Sequence, residues 1–502
     1  MAGDRRGDGV SRSRTRAARA PASSLPSATT TGAPMSWHEQ TVPTARRAPF
    51  IRAAGCVLAL GAGALLAGCG GGGGDPQPAP DGLPPLLSVT TSVTAFATRG
   101  APFTAVQAGS GAVLVSVSGV PERDASGNPV LDPDGNPKTT AGIEVFTPSG
   151  NGYVSACYTA LPGTLPHTDG PPQVMGLKLF GGGVYVGAAI EDNGLALYRV
   201  ADLVACKSPD PKHVRQVFND NESPAGTLDV TFAADAKFGF AANEYGQAPG
   251  ASLPGNVGVT AIAVDAAGNF TSATKLLHQI GMPGNTLAGV TLSPDGTRLY
   301  VTTEIAPHGT GVPGGDNPIL GGPPRCTQKN PNFVTLYGLL SVVDVAAAQA
   351  GSGKIVLQTI AAGCSPTRIA ISADGRTLFM GARGDNRLLT ISTAALEGSN
   401  PGGSLLGYAS TGAKGTSGSE PVGAQLFHND RLLLLANSNR FVTPQQGNAQ
   451  IFDVTVPASP RLVSTLPTGL FPRNVTLAAD GSTLFLTNFS SNEVQVVRTT
   501  VQ

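Results

Sequence analysis

The chain is predicted to be all-β and built of seven repeated units, on three observations. First, residues 289–302 (Gly-Val-Thr-Leu-Ser-Pro-Asp-Gly-Thr-Arg-Leu-Tyr-Val-Thr) align with residues 368–381 and 473–486. Each segment reads as a short alternating strand, an Asp-Gly turn (295–296, 374–375, 480–481) and a second apolar strand. Asp-Gly between two such runs marks a hairpin, because the turn needs positive φ. Second, weaker copies fill the intervals: 103–120 with Gly109-Ser110-Gly111, 174–190 with glycines at 181–183, 228–244 with Asp235-Ala236, and 422–436 with Asn429-Asp430. Third, 66 Gly and 41 Pro suit a protein of many short strands and turns.

The seven units run from 103 to 499 and start roughly 50 to 80 residues apart. That interval accommodates a four-stranded sheet with loops, and third strands are expected at 341–345, 387–392 and 493–498. Radial repetition hides strand edges, so the predicted architecture is a seven-bladed β-propeller. The last unit has only three strands before Gln502. Residues 87–98 have strand character and are expected to supply the missing one, closing the ring by pairing with the last blade.

The sharpest copies resemble the YVTN-repeat β-propellers, a large bacterial family. The marks are a proline entering the first strand (Pro366, Pro421, Pro472), the Ser-Pro-Asp-Gly-like turn, the Leu-Tyr-Val-Thr-like second strand, and Thr487-Asn488 in the last unit. The resemblance spans about 400 residues and is sharp in the fourth, fifth and seventh units. The same broad group includes seven-bladed lactonase-like proteins. The resemblance therefore implies either a binding or scaffold protein, or a lactonase-type hydrolase with its site at the mouth of the central channel.

Upstream of the propeller (87–502) the chain reads as three segments. Residues 1–34 are rich in Arg, Ala, Ser and Thr without apolar periodicity, and are expected to be disordered or untranslated, with Met35 an alternative start to Met1. Residues 35–68 read as an export signal: Arg46, Arg47 and Arg52 precede an apolar run at 53–67 that is too short to span a bilayer. Leu66-Ala67-Gly68-Cys69 resembles the bacterial lipobox, which implies cleavage before Cys69 and a lipid on its thiol. Residues 69–86 form a Gly/Pro-rich tether. No Asp follows Cys69, which by the same resemblance implies sorting to the outer membrane, facing the periplasm.

Charge restricts function. With 33 basic and 33 acidic residues the net charge is zero, which argues against a nucleic-acid surface. A monomer is expected, with the membrane engaged through the lipid and a protein or small-molecule ligand on one face. That face carries long insertions at 120–141, 244–256, 304–334 and 437–448, all following second strands. Register places Glu191, Asp192, Glu244, Glu304, Arg383, Asp385, Glu420, Asn437, Asn439, Arg440, Arg473 and Asn488 there. Glu244, Glu304, Arg383 and Arg473 are the catalytic candidates; the others are ligand-binding candidates. Glu244 and Glu304 occupy equivalent positions, and paired carboxylates suit acid–base work or a cation. No cofactor is otherwise predicted. His167, His213, His278, His308 and His428 lack metal-ligand spacing, although His167 and His308 both fall in loops on this face. Asp132-Pro-Asp134-Gly135-Asn136, with Asp124-Ala-Ser-Gly-Asn-Pro129 upstream, reads as turns in an extended hairpin, since its spacing departs from a calcium loop. Once the signal is removed and Cys69 lipidated, four cysteines remain. Cys326 and Cys364 fall on the elaborated face in adjacent units, so Cys326–Cys364 is expected and, by exclusion, Cys157–Cys206.

Overall fold

The computed structural model describes residues 84–161, 173–191, 194–217, 226–244, 255–306, 338–413, 416–440 and 443–501. The export signal, Cys69 and most of the tether lie outside these residues, as do Asp192, Cys326, His167, His308 and most of insertion 304–334.

Seven antiparallel four-stranded sheets follow in chain order, forming the predicted propeller. Blades 1 to 6 span 101–160, 174–217, 227–281, 285–361, 366–410 and 421–470. Blade 7 takes three strands from 472–501 and its outer strand from Val89–Ala97. That strand pairs in unbroken register from Val89↔Val501 to Ala97↔Glu493, which is the predicted closure.

Burial explains why the strands look as they do. The second strands are sandwiched between neighbouring blades, so both faces are apolar: Leu432–Asn437 and Thr377–Ala382 are buried at every position. Such strands read as continuous apolar runs rather than alternating ones. The outer strands face solvent on one side, and Leu405–Ser410 alternates half-buried with exposed. Hairpin turns follow their sequence signals. Gly296, Gly375 and Gly481 take φ of 71–72°, and in the weaker copy His428, Asn429 and Asp430 all take positive φ. The extended segment at 122–138 is two turns in series, in which Asp124 accepts from the Ser126 and Asn128 N–H groups and Asp132 from those of Asp134 and Asn136. The sequence reading did not anticipate the short helices between third and outer strands, at Val200–Val204, Val345–Ala350 and Thr393–Glu397. Asp344 and Ser392 cap the last two by accepting the Ala347 and Ala395 N–H groups.

The core is divided among the seams between blades. One apolar cluster lies at each of the seven interfaces, as with Phe379, Leu388 and Leu433 between blades 5 and 6. Hydroxyl and amide side chains stitch the same seams near the axis. Thr302 Oγ1 donates to Thr367 O (2.8 Å), Thr367 Oγ1 to Pro421 O (3.2 Å) and Thr487 Oγ1 to Phe103 O (2.9 Å). A disulfide, Cys157–Cys206, ties blade 1 to blade 2 across 49 residues of chain, a loop worth about 4 kcal/mol on chain-entropy grounds. Cys364 is also disulfide-bonded.

The seam between blades 7 and 1 contains Phe96 of the closing strand, which meets Phe146 and Tyr153 at ring distances of 4.5 and 5.3 Å. Phe96→Ala is expected to cost about 3 kcal/mol. Deleting 87–98 should abolish the single cooperative melt altogether. Retention of the wild-type thermal midpoint by the truncated protein would contradict this closure.

Candidate functional site

Inner strands begin, and second strands end, at one face of the ring, so this face forms the channel mouth. Every inner strand has a register shift close to this end, for example between Thr227 and Asp229, Pro366 and Ile369, and Pro472 and Asn474. A bulge adds a residue and turns the strand. In all seven blades it therefore re-aims the first residues of the inner strand. Two residues on from the last pair before the shift, the seven blades place Thr104, Gly176, Asp229, Gly289, Arg368, Gly423 and Asn474. Glycine there reflects crowding: a Cβ on Gly289 would come within 3.0 Å of Arg368 Cα, and one on Gly423 within 3.0 Å of Asn474 Cα. Arg368 crosses the channel from blade 5, its Nη2 donating to Met175 O and Leu228 O of blades 2 and 3 (both 3.3 Å). The neighbouring side chains Phe103, Met175, Leu228, Phe471 and Phe489 form a separate apolar cluster at the axis.

The backbone is left-handed at the mouth in four successive blades. Thr286, Ser365, Glu420 and Phe471, which occupy equivalent positions, have φ of 64°, 48°, 62° and 53°. Non-glycine residues in this region cost of order 1–3 kcal/mol each and cluster at functional sites. Three of them sit just before the entering prolines, so the chain turns inward at a point fixed by Pro366, Pro421 and Pro472. Backbone bonds hold the turns: Arg383 N–H donates to Ser365 O, Ser438 N–H to Glu420 O, and Phe489 N–H to Phe471 O.

The residues that leave the second strands form a second ring. Register places Glu191, Glu244 and Glu304 there in blades 2 to 4, and Arg383 in blade 5. The equivalence expected of Glu244 and Glu304 thus extends to Glu191 and Arg383. All four are buried, with no more than 6% of their surface exposed. Glu304 is bonded to Arg383, with Nη2–Oε2 2.7 Å. Burial pushes the Glu304 carboxyl up, while Arg383, Arg440 and Arg473 pull it back. Arg473 lies over the Phe103 ring at 4.4 Å and the Phe471 ring at 5.0 Å. Burial, then Arg440, Arg368 and Arg383, push it well below the ordinary arginine range. Since guanidinium keeps its proton in proteins, that shift expresses burial first and repulsion among packed cations second, rather than neutralisation.

The other candidates go elsewhere. Asn437 is turned into blade 6, donating to Asn448 Oδ1 (2.8 Å) and Gln450 Oε1 (3.0 Å). Asn488 does the same in blade 7 with Glu493 Oε1 and Gln495 Oε1. Both pin a second strand to a third. Asn439 donates to Gln446 O and accepts from Ser419 Oγ. Asp385 accepts the Cys364 N–H (2.7 Å) and so holds a loop of its own blade. The Glu420 N–H takes Asn386 Oδ1 at a left-handed corner. The structure therefore gathers Glu304, Arg383, Arg440 and Arg473, and adds Arg368, Phe103, Phe471 and Phe489, none of which the sequence reading selected. Phe471 carried one usable signal, its place directly before an entering proline. Among the described residues, no group of three or more His, Cys, Asp or Glu is placed to hold a metal ion.

Comparison with known proteins adds one thing. A chain of the Kuenenia stuttgartiensis hydrazine synthase is similar over 81% of this chain and 97% of its own, at 14% identity and a TM-score of 0.51. A chain from the crystal structure of a mitotic checkpoint complex is similar over 81% and 93%, at 10% identity and a TM-score of 0.50. What these share with the chain is the fold. No family model matches the sequence, and no curated protein matches it.

The raised Glu304 carboxyl has a consequence for stability. It favours the folded state while the group is protonated, so its contribution is complete below the ordinary value of 4.5 and is lost as pH rises through the folded value. Wild type should therefore lose stability relative to Glu304→Gln as pH rises from about 4.5. Urea midpoints of the two proteins across pH 4–8 measure this. Parallel curves would show that the pair is fully compensated.

Proposed function

We propose that this chain is a lipid-anchored protein of the cell envelope, held at the outer membrane on its periplasmic side, that binds a small ligand through the channel mouth. The observation that carries the reading is the buried Glu304–Arg383 pair, flanked by Arg440 and Arg473. A buried ion pair is poor value as a source of stability, because desolvation offsets attraction. The fold already has seven apolar seams. Buried charge gathered at one mouth, on strained backbone, is the arrangement of a recognition site.

Two further facts support it. The chain enters the propeller on the face opposite the mouth. There Arg461 donates to Pro84 O (2.9 Å) and pairs with Asp453, which also accepts the Leu87 N–H. A tether from Cys69 would thus leave the mouth pointing away from the membrane. Binding also suits Glu304 better than general-base catalysis, because one of its carboxylate oxygens is committed to Arg383.

Cys69→Ser is expected to move the protein from the membrane to the soluble fraction and to abolish labelling by radioactive palmitate; unchanged partition would refute the anchor. For the mouth, thermal shift against amino acids, sugars, organic acids and lactones should reveal stabilising ligands whose effect disappears in Arg383→Met. Turnover of a lactone, abolished by Glu304→Gln, would replace this reading with a hydrolase.

A further inference from the structure

On the face where the chain enters the ring, opposite the mouth, a groove of about 570 Å³ crosses the seam between blades 1 and 2. Its walls are the turn Ala108–Ser110, Gly183 and Val184 of the next turn, Arg199, and the helix Val200–Val204. Val184 is 47% exposed, although it directly precedes a fully buried strand. The disulfide at Cys206, two residues past the helix, ties this wall to blade 1. Arg199 supplies the charge. Its Nη1 donates to His213 Nε2 (3.2 Å), and His213 Nδ1 bonds Asp202. A guanidinium only donates, so His213 accepts at Nε2 and turns its Nδ1–H to Asp202. Asp202 is thereby taken up by the imidazole rather than by the arginine. Among the described residues Arg199 makes no ion pair, and its Nε and Nη2 groups have no partner. The segment 199–215 carries four cations, Arg199, Lys207, Lys212 and Arg215, against two carboxylates, Asp202 and Asp210, in a chain of zero net charge. Lys207 and Lys212 are exposed. A second exposed valine, Val264, is on the adjoining hairpin, which Tyr185 Oη holds by donating to Gly268 O (3.1 Å). The carboxylate of that hairpin, Asp265, is turned back onto its own Ala267 and Asn269 N–H groups.

We propose that this face docks on the bilayer, with Arg199 bonding the phosphate of an anionic phospholipid seated in the groove and Val184 and Val264 entering the headgroup layer; this rests on the reading of the chain as membrane-anchored. The free N–H groups of Arg199 match phosphate oxygens. The local excess of cations favours an anionic headgroup over a neutral one. An apolar wall beside the cation suits a lipid rather than a free anion, since it has acyl carbon to cover. A volume of this size lies within the roughly 300–1,000 Å³ of ligand sites in general. The groove also shares its face with the point where the chain enters, at Pro84 and Arg461. The 14 residues between Cys69 and Pro84 reach at most about 50 Å. A lipid contact too weak to hold the protein alone is therefore favoured once an anchor at Cys69 is inserted. Docking on this face fixes the orientation of the ring, with the mouth directed away from the membrane.

Sedimentation of the full Cys69→Ser chain with lipid vesicles tests this without the anchor. Partition should be about tenfold greater onto phosphatidylcholine vesicles containing about a third phosphatidylglycerol than onto phosphatidylcholine alone, and high salt should remove the difference. Arg199→Gln in the same chain should weaken partition about fivefold, the loss of one cation near the surface. Val184→Asp should weaken it at least as much; its side chain is exposed, so it carries the test if Arg199→Gln melts early. Lys354→Gln, on the same face in blade 4, should have no effect. The docking is overturned if the two kinds of vesicle bind alike, if neither binds, if Arg199→Gln and Val184→Asp both bind normally, or if Lys354→Gln weakens binding as much as they do. It is also overturned if glycerol phosphate releases the protein at the same phosphate concentration as the lipid, since the groove would then be a site for a free ion. Palmitate labelling of the wild type reads the anchor separately, so the docking can fail while the anchor stands, and the anchor can fail while the vesicle preference stands.

Discussion

The structure depends on contact between neighbouring blades. No blade encloses a core of its own; the apolar clusters sit in the seams, each built from two sheets. A blade with one partner missing would expose an apolar face, and a two-sided stack of seven would expose two. Closure is therefore a condition of stability. The nine-residue strand Val89–Ala97 meets it by covering the edge of the last blade and placing Phe96 in the final seam. This pairing joins residues some four hundred apart in sequence, the kind of non-local contact that is intrinsically slow to form.

Closure in turn makes the strained mouth tolerable. Left-handed φ at Thr286, Ser365, Glu420 and Phe471 costs free energy that isolated loops would release by relaxing. Here each turn is pinned between an inner strand and the end of a second strand, and both are locked in a closed ring. The bulges work in the same way. They sacrifice one ladder position per blade, and seam bonds such as Thr302–Thr367 and Thr487–Phe103 recover a hydrogen bond from the adjacent blade. The result is a collar that brings one equivalent residue per blade towards the axis.

The hairpins were legible in the sequence because their causes are local. Asp-Gly at 295–296 or 480–481 states its own φ requirement, and Pro366, Pro421 and Pro472 mark where inner strands begin. The closing strand followed by counting strands. Site residues were legible only where register sufficed. Glu304 and Arg383 emerge correctly because each sits at the same register position at the mouth end of a second strand. Asn437 and Asn488 lie one residue earlier, where the side chain turns into its own blade instead. Arg368 and Phe103 could not be found in this way, because the inner-strand bulge changes which residue faces the axis, and nothing in the local sequence announces a bulge. The short helices were missed although Asp344 and Ser392 are good caps, because five or six residues carry too little periodicity to read.

The collar also explains why a fold so uniform carries so uneven a set of charges. At the post-bulge position the seven blades hold three glycines, two small polar residues, one aspartate and one arginine. Packing requires only that some of them be small: Gly289 and Gly423 sit where the next inner strand comes too close for a Cβ. Arg368 reaches across the axis from blade 5 to carbonyls of blades 2 and 3. Asp229 at the equivalent place in blade 3 provides a counter-charge, which raises the Arg368 affinity for its proton against the effect of burial. The arginine strut thus spans the channel just inside the mouth. Above it the mouth gathers the buried Glu304–Arg383 pair beside the rings of Phe103, Phe471 and Phe489.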